Sequence, residues 1–202
     1  MSQSDLTAEQ KKEAIKYAER YKKVALKCGE NITDKVKAEE AFNELYDYFI
    51  TTKDSDNQVK TKTPQIIWKD NIIEAIHETA MLVTKKTPSE LTKTDLTDAL
   101  NHGVFSQFEA YWIGTYTFIN DHIDNKKDAL IKIVNKVFNE VHAYWLLDEA
   151  VVAVPFPKVI KTKNDLIHAD GEPAIIYQDG FSINAENGEI KPYVLETMMG
   201  IK

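Results

Sequence analysis

The sequence predicts an α+β protein: a mainly helical N-terminal body of about six helices, then a small antiparallel β-meander and a closing helix. Two features carry this reading. Helical-period apolar residues run from Thr7 to Val141, and from Tyr144 the period shortens to that of strands. Three turn dipeptides, Asp170-Gly171, Asp179-Gly180 and Asn187-Gly188, then punctuate the stretch Leu166 to Lys191. Such pairs favour hairpins because both residues tolerate positive φ.

The elements follow in order. Thr7 and Gln10 have capping-box spacing and open a helix to about Cys28-Gly29, with Ala14, Ala18, Tyr21, Ala25 and Cys28 inward and Ile15 and Val24 widening the stripe. A second helix from Thr33 or Asp34 carries Ala38, Ala41, Phe42, Leu45 and Phe49 on one face, and the two are expected to form an antiparallel hairpin. Thr51 to Thr63 is polar and aperiodic, which predicts a loop. Pro64 to Trp68 reads as a short strand, and Asp70 is placed to cap a helix through Val83. Thr94 or Asp95 opens a brief helix closed by His102-Gly103. Val104 to Asn120 is apolar nearly all round and is expected to be buried, whereas Lys126 to Val141 is amphipathic through Ala129, Leu130, Ile133, Val134, Val137 and Phe138.

Ala150 to Val154 is a β-branched run ending at Pro155, which predicts an edge or a strand end, and Lys158 to Lys161 adds a short strand. Phe181, Ile183 and Ala185 alternate with polar residues, the pattern of a strand with one wet face. Pro192 suits the first turn of a last helix through Met199. The 202 residues read as one domain, 1–202, with a helical body 1–143 and the meander and closing helix in 144–202.

Composition excludes several functions. A net charge of -7 and a single arginine, Arg20, disfavour duplex nucleic acid, whose binding is driven by phosphate neutralisation. Cys28 is the only cysteine, so no intrachain disulfide or thiolate metal cluster is available, and a reducing compartment is expected. The N-terminus has no apolar signal core and no apolar run reaches bilayer length, so the reading is cytoplasmic with no membrane partner. No P-loop, G-x-G-x-x-G, G-x-S-x-G or zinc spacing occurs, and neither a metal nor another cofactor is expected.

From Gln107 onward the chain resembles an uncharacterised bacterial and phage family, a domain of unknown function. That family joins a helical body to a C-terminal segment of the form R-L-H-x-x-x-G-P-A-I-x-Y-x-D-G. The residues that carry the resemblance are Gln107 to Trp112, Tyr144-Trp145, Val152 to Val154, Pro157, His168, Glu172 to Ile175, Tyr177, Asp179-Gly180 and Asn187-Gly188. Leu6 to Gln10 and Lys37 to Ala41 are similar to the family's opening. Phe156 and Leu166 stand where the family has arginines, and Asn187 where it has histidine. The resemblance implies a fold and marked positions, and no reaction.

Three functional readings remain open. A non-enzymatic protein-binding or accessory role fits the absence of catalytic spacing, with Glu109, Trp112, Trp145, Tyr177 and Phe181 as candidate binding residues, because Trp and Tyr anchor interfaces when left at a surface. An acid/base or metal-assisted enzyme would use His168, Asp170 and Glu172, whose alternate spacing puts an imidazole and two carboxylates on one face of a strand. The bland account is that Asp170-Gly171 is a turn and His168 holds a backbone group. Lys158, Lys161 and Lys163 form a strip beside Tyr177 and Phe181 that suits single-stranded nucleic acid, and such lysines equally guard a sheet edge.

Overall fold

The computed structural model describes residues 6–53, 63–124, 128–189 and 200, and these contain six α-helices, a 3-10 turn at Pro88–Glu90 and nine short strands. The chain is α+β. Helix α1 (Ala8–Ala25) starts at the Thr7–Gln10 capping box and buries Ala14, Ala18, Tyr21 and Ala25. Cys28 and Ile15 are exposed, so the inward stripe is narrower than the sequence suggested. Helix α2 (Lys35–Lys53) buries Ala38, Ala41, Phe42 and Leu45 and leaves Phe49 exposed. It also takes in Thr51 to Lys53, the start of the expected loop, and the rest of that loop through residue 62 lies outside the described residues.

Strand β1 (Gln65–Trp68) leads into helix α3 (Ile72–Thr84), which Asn71 caps in place of Asp70 by accepting the Glu74 N–H at 3.0 Å. Helix α4 (Lys93–Asn101) has its own capping box, Thr92 with Asp95. Strand β2 (Val104–Phe105) precedes helix α5 (Ser106–His122), and helix α6 (Asp128–Glu140) leads to strand β3 (Ala143–Leu146) and strand β4 (Ala150–Val154).

The expected α1–α2 hairpin does not form: α1 packs on α5 and α2 on α6. Small residues explain the first pairing. A Cβ on Gly114 of α5 would lie 2.7 Å from the Ala18 Cα, so the two backbones meet where neither has a bulky side chain. The second pairing follows from one cluster in which Ala41, Phe42 and Leu45 meet Val137 and Val141.

The four strands form one mixed sheet in the order β1-β4-β3-β2, with β1 parallel to β4 and the other neighbours antiparallel. Strand β4 is therefore central and every residue in it is buried, which is why it reads as an unbroken apolar run. Pro155 marks its end and not an edge. Val151 and Ala153 face α2 and α6, whereas Val152 and Val154 join the cluster that holds Ile76 of α3 and Leu96 of α4. Strands β1 and β2 come from within the helical body, so a division at residue 143 would cut this sheet.

The meander follows as β5 (Val159–Ile160), β6 (Thr162–Lys163), β7 (Leu166–Ile167), β8 (Ile175–Ile176) and β9 (Ser182–Ile183). Strands β5, β8 and β9 form one antiparallel sheet and β6 and β7 a separate hairpin. That hairpin turns at Asn164-Asp165, whose φ values of 52° and 59° are those of a type I′ turn. Ile175, Tyr177, Ile183 and Ala185 point into the cluster that contains Trp145, so the meander shares a core with the sheet. The expected closing helix lies outside the described residues.

Candidate functional site

His168, Asp170 and Glu172 do not converge as one site. His168 Nδ1 accepts the Asn187 backbone N–H at 3.0 Å, so the proton sits on Nε2, which donates to Asp170 Oδ1 at 2.9 Å. Both ring nitrogens are spent within the meander. A histidine that works as a base keeps one nitrogen free for substrate, and this one has none. Hydrogen bonds from His168 and Lys163 hold the Asp170 carboxyl below its ordinary range. Glu172 is drawn away to Lys161 at 2.6 Å. Among the described residues no three His, Cys, Asp or Glu side chains are close enough to hold a metal ion.

The lysine strip is likewise occupied. Lys158 pairs with Glu30 at 2.6 Å, Lys161 with Glu172, and Lys163 with Asp170 at 3.4 Å. Each cation faces a carboxylate, which cancels much of the attraction a phosphate backbone would feel.

The aromatic candidates divide sharply. Trp145 is wholly buried; its indole N–H donates to the Ala99 carbonyl at 2.6 Å and its ring packs edge-on against Phe105. Gly103 lets it in, since a Cβ there would lie 2.8 Å from the indole. Tyr177 is also wholly buried, and Phe181 is half-buried against it. Neither Trp145 nor Tyr177 can be a surface contact, because each supplies the apolar bulk that joins meander to sheet. Trp112 is different: it stands 45% exposed on α5, stacked on Tyr116 with centroids 4.7 Å apart.

Two neighbours that the sequence reading assigned to the interior share its face of α5. Phe108 is 67% exposed and Tyr111 54% exposed. The opposite stripe, Ala110, Ile113, Gly114 and Phe118, is buried, so α5 is two-sided and not apolar all round. The spacing 108, 111, 112 against 110, 113, 114 was the available signal. Phe105 links this face to the core, contacting Trp145 at 5.5 Å on one side and Phe108 at 5.9 Å on the other. Glu109 is half-buried on the same helix. Burial first, then the Glu109 carboxylate, push the Tyr144 phenol up to about 12.

A crevice of about 590 Å³ opens where the parallel strands β1 and β4 end, lined in part by Asp34, Lys35, Asp70, Pro155 and Gln178. Its polar groups largely serve the fold. Asp34 accepts the Lys37 N–H at 3.2 Å and pairs with its ammonium at 2.9 Å, which lowers the Asp34 carboxyl. Gln178 ties the Gly29 and Phe156 carbonyls together at 2.8 and 3.0 Å.

Among the described residues no helix is long and apolar enough to cross a membrane. Comparison with known proteins adds no relative: no family model, no curated protein and no solved structure matches the chain.

Proposed function

We propose that the chain is a non-enzymatic binding protein whose α5 face of Phe108, Tyr111 and Trp112 docks a partner protein. The observation that carries this reading is the exposure of three large aromatic residues within five positions of one helix. Single exposed hydrophobes are ordinary, but clustered aromatics are the residues that dominate protein interfaces. The face is also rigid, because Phe105 and the buried Trp145 back it and α1 holds the opposite side of α5. Rigid aromatic anchors lose little conformational entropy on binding.

The other readings have less support. With both nitrogens of His168 engaged, proton transfer would first have to break the turn at Asn187. With Lys158, Lys161 and Lys163 all paired, nucleic acid would have to displace three carboxylates.

Photo-crosslinking from position 108 in producing cells, with position 36 as a second exposed apolar site, tests the proposal. A discrete adduct from 108 that Trp112→Ala abolishes is expected. Identical adducts from both positions, or none from 108, would sink it.

A further inference from the structure

We propose that His142 and Tyr177 form a proton-operated latch that holds the meander on the helix-flanked sheet. His142 sits between α6 and β3, and its backbone is fixed on both sides: its N–H donates to the Val154 carbonyl at 2.9 Å, and its carbonyl accepts the Ser106 N–H at 3.0 Å and hydroxyl at 2.8 Å. From this fixed backbone the ring meets Tyr177 edge-on with centroids 5.8 Å apart. The Tyr177 hydroxyl lies 3.4 Å from His142 Nε2, and both side chains are almost wholly removed from water.

The second ring nitrogen, Nδ1, is buried with no hydrogen-bond partner. A neutral imidazole bears this at moderate cost, as one unpaired polar atom. A charged one would hold two N–H donors and a full positive charge with one phenol oxygen for company. Among the described residues the titratable group in contact with the ring is Tyr177 of the meander; Ser106 from α5 and Val154 from β4, which bond to the His142 backbone, carry no charge, and burial is the cause that lowers His142, to about 4. The nearest acid of that turn, Asp179, is engaged elsewhere, accepting from Asn71 Nδ2 at 2.7 Å.

Protonation is thus compatible with the fold only if water reaches the ring. The sheet side of His142 is pinned by two backbone hydrogen bonds and one from the Ser106 hydroxyl, so the side that yields is Tyr177. Tyr177 directly follows β8, and its N–H bonds to the Phe181 carbonyl just before β9, so displacing it carries Ile175 and its cross-strand partner Ile183, which share its cluster. Acid should therefore lift the meander before it unfolds the sheet.

Hydrogen exchange followed by NMR, normalised to intrinsic rates across pH 7 to 4, tests this. The Ala174 and Tyr177 amides, which bond to the Ile183 and Phe181 carbonyls, should lose at least tenfold protection while Val151 to Val154 keep theirs. In His142→Phe the midpoint should fall by at least one pH unit, whereas Tyr177→Phe keeps the titrating ring and the acid release. An unchanged midpoint in His142→Phe overturns the latch, as does simultaneous loss of protection in meander and β4. If neither variant folds, the His142 ring resonances of the unaltered chain decide. Charging near pH 6.5 with the meander still protected overturns the proposal; charging that coincides with release supports it.

Discussion

The imidazole of His168 accepts the backbone N–H of Asn187 at 3.0 Å, across 19 residues of chain. The Gly188 N–H donates to the Ile167 carbonyl at 2.8 Å beside it, so β7 grips the last turn of the meander twice. His168→Ala removes a buried ring together with its part-buried hydrogen bond from Asn187 and should cost about 1–2 kcal/mol in urea unfolding. Asp170→Asn should leave the urea midpoint nearly unchanged, because its pairs are exposed and screened. Equal costs for the two would mean that the His168–Asp170 pair, not the turn, is what matters.

Gly114 is the point of closest approach between α1 and α5. Alanine is ordinarily the better helix former, by about 1 kcal/mol. Here its methyl would sit 2.7 Å from the Ala18 Cα and 2.9 Å from the Tyr17 carbonyl carbon, both backbone atoms that cannot rotate aside. Gly114→Ala should therefore destabilise, by about 1–3 kcal/mol after the helices shift apart. A rise in thermal midpoint would show that α1 rests on α5 loosely.

Local signals were legible because they need only adjacent residues. The Thr7 capping box, the Ala150–Val154 run and the Asn187-Gly188 turn all stand where sequence placed them. What sequence withheld was partnership. Nothing in α1 announces α5, since the fit depends on Gly114 nearly a hundred residues away, and nothing in Gln65–Trp68 announces a parallel bond to β4. Aromatics were the hardest, for Trp112 and Trp145 have the same chemistry and differ only in what the fold lays over them. The His168, Asp170 and Glu172 spacing brings only two of the three together, since His168 bonds to Asp170 while Lys161 draws Glu172 away and the Asn187 N–H occupies the other ring nitrogen, and no spacing announces either partner.

Asp95 gives α4 an acid-sensitive start. Lys86 at 2.7 Å, then the Thr92 backbone N–H and hydroxyl, hold its carboxyl down at about 2. A folded value below the ordinary 3.8 means that the unfolded chain takes up the proton first. The stabilisation is thus complete above about pH 5 and disappears as pH falls from about 4 towards 2. Asp95→Asn should lower stability at pH 7 and show a shallower decline over that window. Parallel curves for the two proteins would remove Asp95 from the account.

Trp145 and Trp112 make the sharpest contrast between a core aromatic and a surface one. Trp145→Phe removes the indole donor from the buried Ala99 carbonyl and empties part of the space under Gly103, and both losses act in the most enclosed part of the cluster. The expected cost is about 2–4 kcal/mol. Trp112→Ala gives up only the stacking on Tyr116 and a half-exposed surface, for a cost below about 1 kcal/mol. Acrylamide quenching separates them without unfolding: loss of Trp112 should remove most of the readily quenched emission, and loss of Trp145 should remove protected emission. Were Trp112 as protected as Trp145, something other than solvent would already be covering the α5 face, and the docking surface would have to be sought elsewhere.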